Sequence, residues 1–146
     1  MTSVRETAVQ ALANQLANGL SGVIVERNTA TPETVPTGGL VIVRDGDPGE
    51  AVEVEVSPPS YSYEHPAPVE ILVRANDPQT RATRLDQVLR DLHAAIDADR
   101  TLGGAVDYVE TGAPGDPSDF APPGDDTIKA AIVVLTLVYD TDDPLT

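Results

Sequence analysis

The chain has 146 residues, 40% of them apolar, no cysteine, and 24 acidic residues against 9 basic ones, for a net charge of −15. That length is about one domain and can bury one core without staples; the lack of cysteine excludes disulfides, thiolate metal sites and thiol nucleophiles. A surface so acidic repels phosphate backbones, which argues against a specific reader of nucleic acid. The opening Thr2-Ser3-Val4-Arg5-Glu6 lacks the apolar run of a signal peptide. The longest apolar run, Ala130 to Leu135, is far short of the ~20 residues of a membrane span. A soluble single domain over residues 1–146 is therefore expected.

The first helix opens on a capping box, with Ser3 or Thr2 as cap and Glu6 three residues after Ser3. Ala8, Leu12 and Leu16 repeat at helical spacing beside Val9 and Ala13, and Gly19 or Gly22 supplies a left-handed terminator. Short strands follow at 23–27 and 40–44, joined by an irregular connection through Thr31-Pro32 and Val35-Pro36-Thr37-Gly38-Gly39. Asp45-Gly46-Asp47-Pro48-Gly49 reads as a hairpin turn. Val52-Glu53-Val54-Glu55-Val56 then alternates as a strand with one buried and one wet face. Ser57-Pro58-Pro59-Ser60 breaks it, and Tyr61 and Tyr63 begin the returning arm. Pro66 and Pro68 remove two amide donors from one edge, which points to an edge strand or a kinked arm. Val69, Ile71 and Val73 resume the alternation.

Asp77-Pro78 opens a second helix, whose stripe of Leu85, Val88, Leu89, Leu92 and Ile96 faces away from Arg84, Asp86, Arg90, Asp91 and Asp97. Gly103-Gly104 stops that region, and Ala105 to Glu110 is expected as a strand. Residues 111–126 hold four prolines, three glycines and four aspartates, which reads as a loop of sixteen residues. Ile128 to Tyr139 is a long strand, apolar on both faces over 132–135 as if covered on both sides. The expected fold is α+β: a mixed, mostly antiparallel sheet with two helices packed on one face. Its order is α-β-β-β-β-α-β-β, with a projecting hairpin and a long acidic loop.

No G-x-G-x-x-G, Walker loop, G-x-S-x-G or H-E-x-x-H pattern occurs. His93 borders the apolar stripe of the second helix, where a partly buried, hydrogen-bonded histidine is expected; His65 precedes a proline in the hairpin and is expected to be exposed. Asp45-Gly46-Asp47-Pro48-Gly49-Glu50 fails the register of a calcium-binding helix–loop–helix, because Gly49 stands at position five and Glu50 at six. Asp116, Asp119, Asp125 and Asp126 could gather a cation if the long loop folds back, but solvated loop charges are the default. Glu53, Glu55 and Glu70 read as a wet strand face rather than an acid/base pair. No catalytic, cofactor-binding or metal-binding residue is assigned, and no cofactor is expected. What remains is interaction surface: a hairpin over 57–68, an unpaired strand edge and a long loop are what a sheet uses to pair with a neighbour.

With these residues in place, the chain resembles the tail terminator (tail completion) proteins of long-tailed viruses and gene transfer agents. The matching features are the N-terminal helix, the Val-rich strand near residue 41, and the alternating arms leading to Val69–Arg74. Two more are the helix ending in Thr101-Leu102-Gly103-Gly104 and a last strand finishing in Tyr139-Asp140-Thr141. The resemblance implies a small α/β subunit of the virion, at the head–tail junction, that forms a hexameric ring. The ring would cap the tail tube, stop its polymerisation and offer a face to the head connector. Its partners would be further copies of itself, the tail tube protein and the connector protein, with the genome only passing through the lumen and no membrane involved. Contacts to neighbours or tube are expected from Tyr61, Tyr63, Glu64 and His65 in the hairpin. In the long loop they are expected from Asp116, Asp119, Phe120, Asp125 and Asp126. A neighbouring connector component or the tube protein itself is the nearest rival. A small enzyme with a dispersed site would need a cleft holding His65 or His93 against a carboxylate.

The charge carries its own expectation. Of the 24 acids 15 are Asp, and Lys129 is the sole lysine, which fits either a mesophilic acidic protein or one adapted to molar salt. Self-repulsion weakens a compact acidic fold in dilute buffer, and at about 1 M salt the screening length falls to ~3 Å. A halophilic chain should therefore melt at a higher temperature in molar salt than in dilute buffer. Equal melting in both would remove that reading.

Overall fold

The computed structural model describes every residue except Thr31, Glu33 and 121–126. Among the described residues the chain forms two α-helices and one seven-stranded sheet: α1 (Val4–Gly19), β1 (Ile24–Arg27), β2 (Leu40–Val43), β3 (Glu53–Val56), β4 (Pro59–Arg74), α2 (Pro78–Asp97), β5 (Tyr108–Thr111), β6 (Gly115–Phe120) and β7 (Ile128–Thr141). The main path through the sheet is β1-β2-β4-β7-β5, with β3 on β4 and β6 on β7. β1 and β2 are parallel and every other pairing is antiparallel, so the sheet is mixed as expected.

The helices start as their sequences dictate. Ser3 Oγ accepts the amide of Glu6, and Asp77 accepts the amide of Thr80 with Pro78 in the first turn. The Glu6 side chain does not close the box; it leaves the cap for Arg27. Gly19 is helical and serves packing instead of termination, because a Cβ there would lie 2.7 Å from the Cβ of Ala95. Gln15 adds hydrogen bonds to the carbonyls of Ala95 and Asp99, so α1 and α2 are tied by contact and by polar groups.

Both helices pack on one face of the sheet. Leu12 and Leu16 of α1 and Leu85, Val88, Leu92 and Ile96 of α2 meet Val69, Ile71, Val133, Leu135 and Leu137 in one core. Each fully buried aliphatic side chain there contributes about 1.5–3 kcal/mol. On the opposite face a smaller cluster, Val35, Leu40, Ile42, Leu72 and Ile128, covers only one end. The 132–135 stretch is thus not covered on both sides: Val133 and Leu135 are buried, whereas Val134 is 40% exposed.

Further expectations fail for identifiable reasons. The 111–126 loop contains β6, laid along β7 from Gly115 opposite Ile132 to Phe120 opposite Ile128; the register shifts between Gly115 and Ser118, which is where Pro117 falls. Proline is tolerated in an edge strand at such a shift because no ladder donor is required of it. The strand expected from Ala105 begins only at Tyr108, since 102–104 make a 3₁₀ turn. β3 has no buried face; all four of its residues are exposed. Finally, Asp45–Gly49 is no hairpin turn, because β2 and β3 both pair with β4 and not with each other.

The two prolines explain that last arrangement. β4 is no edge strand: it pairs with β7 without a break from Tyr61 to Arg74. Its other edge carries β3 at residues 59–62 and β2 at 69–72, and Pro66 and Pro68 occupy the interval between them. The carbonyl of Pro68 faces that interval and accepts the amide of Arg44. The Asp45-Gly46 segment crosses the interval closely enough that a Cβ on Gly46 would sit 2.0 Å from the Pro66 oxygen. Gly46 also has φ +68, as does Gly49, but Gly49 stands in open space. Gly49→Ala should therefore cost about 1 kcal/mol from backbone conformation. Gly46→Ala should cost an additional ~1–3 kcal/mol from the collision. Urea unfolding of both variants measures the difference, and equal losses would show that the segment does not seal the gap.

Candidate functional site

The densest polar cluster lies where this segment meets α1, β1 and the hairpin. Arg27 at the end of β1 gives Glu6 a two-pronged contact, Nη1 to Oε2 at 2.6 Å and Nη2 to Oε1 at 2.9 Å, and its Nε donates to Asp45 Oδ1 at 2.8 Å. The Arg27 hydrogen bond is the main cause holding both carboxyls below their ordinary range. Solvent reaches both carboxylates, so each pair contributes on the order of 1 kcal/mol or less. Their geometric effect is larger than their energy: one guanidinium clamps α1, β1 and the segment that covers the proline gap.

His65 lies beneath. It is fully buried, not exposed as its place before a proline suggests, because position 65 falls on the helix-covered side of β4 with Tyr63 and Ala67. One ring nitrogen, Nε2, faces the backbone oxygen of Asp45, which can only accept; that nitrogen therefore carries the proton and donates. Nδ1 accepts from the hydroxyl of Tyr139 at 2.9 Å. Tyr139 in turn packs against Tyr63, with ring centroids 5.8 Å apart. Burial lowers the His65 pKa and pushes the Tyr139 phenol up to about 12. Both ring nitrogens are thus spent on a phenol and a carbonyl, neither faces a carboxylate, and no surface is left for a substrate. His93, expected to be partly buried, is exposed on α2.

The expected contact residues separate into inside and outside. Tyr63 and His65 are buried and can only position their neighbours, and Tyr61 is half-buried against the core. Glu64 is exposed on the open face. Asp119 lies in β6 opposite Lys129, its carboxylate half-exposed and 3.7 Å from Nε of Arg81 on α2. Asp116 and Phe120 are also in β6. Asp125 and Asp126 lie outside the described residues. Among the described residues no group of three or more His, Asp or Glu side chains could hold a metal ion, and no helix is long and apolar enough to cross a membrane.

The Leu102-Gly103-Gly104 motif is a structural device. All three residues have positive φ, at 51, 71 and 91 degrees. Asp99 holds the turn by accepting from the Thr101 hydroxyl and from the amides of Thr101 and Gly103, which lowers its carboxyl pKa. Leu102 is the strained residue, and its side chain is buried in the main core.

The surface that sequence reasoning underrated is β3. Val52, Val54 and Val56 are 60%, 50% and 84% exposed. Val54 pairs with Tyr61, on the face that α1 and α2 cover elsewhere along β4. The core side of the sheet thus runs out into solvent as an apolar shelf. Among the described residues nothing pairs with the outer edge of β3. The signal was in the sequence: a V-E-V-E-V run ahead of a proline turn fits an exposed arm as well as it fits a half-buried strand.

Comparison with the models of known protein families gives no match, and comparison with curated proteins gives none either.

The buried histidine sets a pH dependence. Its folded-state pKa is depressed, so the unfolded chain binds this proton more readily. Its stabilisation is full above the ordinary histidine value of ~6.5 and is lost as pH falls through the folded-state pKa. Unfolding free energy should fall below pH ~6.5 with a slope of up to about 1.4 kcal/mol per pH unit from this one group. His65→Gln should be less stable at pH 7.5 yet lose that part of the slope. An unchanged slope in the variant would show that His65 is not its source.

Proposed function

We propose that the chain is a structural virion protein: a tail terminator whose copies form a ring that caps the tail tube, ends its polymerisation and joins the tail to the head connector. One observation supports this reading above the others, the hairpin arm whose β3 strand is exposed on both faces, rich in valine and open along one edge. Monomeric proteins seldom leave such a strand uncovered, because its amide and carbonyl groups template pairing with another chain. A ring of identical subunits satisfies every such edge at once. The two helices on one face of a mixed sheet, and the Leu-Gly-Gly turn after the second helix, agree with the resemblance read from the residues. The acidity suits a lumen through which DNA slides, since a wall of like charge forms no phosphate contacts.

The rival within the same class, a tube or connector protein, would use a similar surface and differ in where assembly stops. Electron microscopy of the purified protein in molar salt should show closed rings of a single layer. Long tubes would transfer the assignment to the tube protein, and a field of monomers at high concentration would sink the assembly reading.

A further inference from the structure

The chain crosses the proline gap as a strap, residues 44–51, whose hold on the body is concentrated at its two ends. At one end Arg44 gives its amide to the carbonyl of Pro68. Asp45 gives its amide to the side chain of Asn28, its carboxylate to Arg27 and its carbonyl to His65. At the other end the amide of Val52 donates to the carbonyl of Ser62. Between them, among the described residues, positions 46–51 make no backbone hydrogen bond to the sheet, and Gly49 turns its amide back to Asp47 within the strap. Gly46, Asp47, Gly49 and Glu50 are exposed. A cavity of about 270 Å³, lined by Arg5, Val9 and Arg27 on one side and by Gly46 and Pro48 on the other, undercuts the strap where it passes α1.

Burial makes a charged His65 costly, and the ring's surroundings determine where the fold yields. With a second proton Nδ1 becomes a donor. The Tyr139 hydroxyl that donated to it must then turn and accept, leaving its own proton unpaired at a buried position. The groups facing the ring are Tyr139 from β7, with Tyr63 of β4 packed behind it, Arg5 from α1, and Asp45 and Asp47 from the strap. Arg5 repels the new charge, whereas the two carboxylates attract it. Arg27 and Glu6, one layer out, hold each other. Attraction and solvent thus both lie on the strap side, and the opposite wall is the fourteen-pair ladder of β4 and β7.

We infer that the strap is a pH-operated latch: when His65 takes up a second ring proton the 45–51 segment opens while the ladder holds, and the root of the β3 arm at Val52 comes free. An assembly made through the arm then loosens in mild acid. That consequence rests on the ring reading above; the latch does not.

Amide hydrogen exchange of the full chain, read by NMR and corrected for the intrinsic rate at each pH, tests the latch. An opened ring titrates at the ordinary ~6.5, so the opening constant should rise about tenfold between pH 7.5 and 5.5. Protection of the Arg44, Asp45 and Val52 amides should fall by that factor and stay below that of the β4–β7 ladder. It should also respond little to low urea, because a local opening exposes little surface. His93, the other histidine, is exposed, and His93→Gln should leave the response intact. His65→Gln should abolish it, since an amide side chain donates at one atom and accepts at the other without titrating. Should that variant not fold, the wild-type His65 ring resonances must shift over the same pH range as the loss of protection. A response that survives His65→Gln, or unchanged protection at Asp45 and Val52, would overturn the latch. So would strap amides with the same protection and urea slope as the ladder, since they would then open in global unfolding alone. Sedimentation in molar salt tests the consequence: assembly that weakens at pH 5.5 in wild type and not in His65→Gln supports it. A wild-type monomer at both pH values would remove the ring reading and leave the latch to stand on the exchange result.

Discussion

Fourteen consecutive cross-strand pairs between β4 and β7 organise everything else in this molecule. Two strands of that length bury a full apolar face only if something lies across it, and α1 and α2 are what lies there. Each long strand then has a second edge to fill, and each divides that edge between two short strands: β2 and β3 on β4, β5 and β6 on β7. On β7 the division reads Tyr108–Thr111 against 135–138 and Gly115–Phe120 against 128–132. On β4 it leaves a gap, because Pro66 and Pro68 offer no donors there. The rest of the site follows from closing that gap. Gly46 allows the backbone to lie against Pro66, Asp45 offers its carbonyl to His65, and Arg27 anchors the Asp45 side chain together with Glu6.

That dependence also explains which parts of the fold the amino-acid sequence discloses. Local rules suffice for α1 and α2, whose caps at Ser3 and Asp77 and apolar stripes need no knowledge of the sheet. They suffice for the turn at Ser57-Pro58 and for β7, whose length and apolarity are unmistakable. They fail where a residue's fate depends on what lies across from it. Pro117 looks like a breaker until β7 is known to tolerate a register shift beside it. His65 looks exposed until its position places it on the helix side of β4. The valines of β3 look half-buried until it is known that neither helix covers them. Each error comes from tertiary context that periodicity does not encode.

The same logic separates the two polar features that first invite a functional reading. A histidine touching a tyrosine and lying near an aspartate has the ingredients of acid–base chemistry, but this one gives both nitrogens to internal partners and has no exposed surface. A catalytic base must reach the proton that it takes. The Asp99 turn is similar: its carboxylate accepts three hydrogen bonds in order to hold Leu102 with positive φ and bury it. Both are scaffolding.

For a surface this acidic, association is a contest between ranges. Net charge acts at the scale of the Debye length, ~10 Å at 0.1 M salt, and opposes any approach of two copies that each carry −15. Apolar contact acts only at the touching surfaces, and salt does not screen it. An assembly built from such subunits must therefore concentrate its attraction in a small, exposed, uncharged strip and hold most like charges apart. The β3 arm has that composition on its valine face, with the two glutamates turned to the other side of the strand. Replacing the valines by further acids should cost the fold little, because all four residues of β3 are exposed and one edge of the strand is unpaired among the described residues.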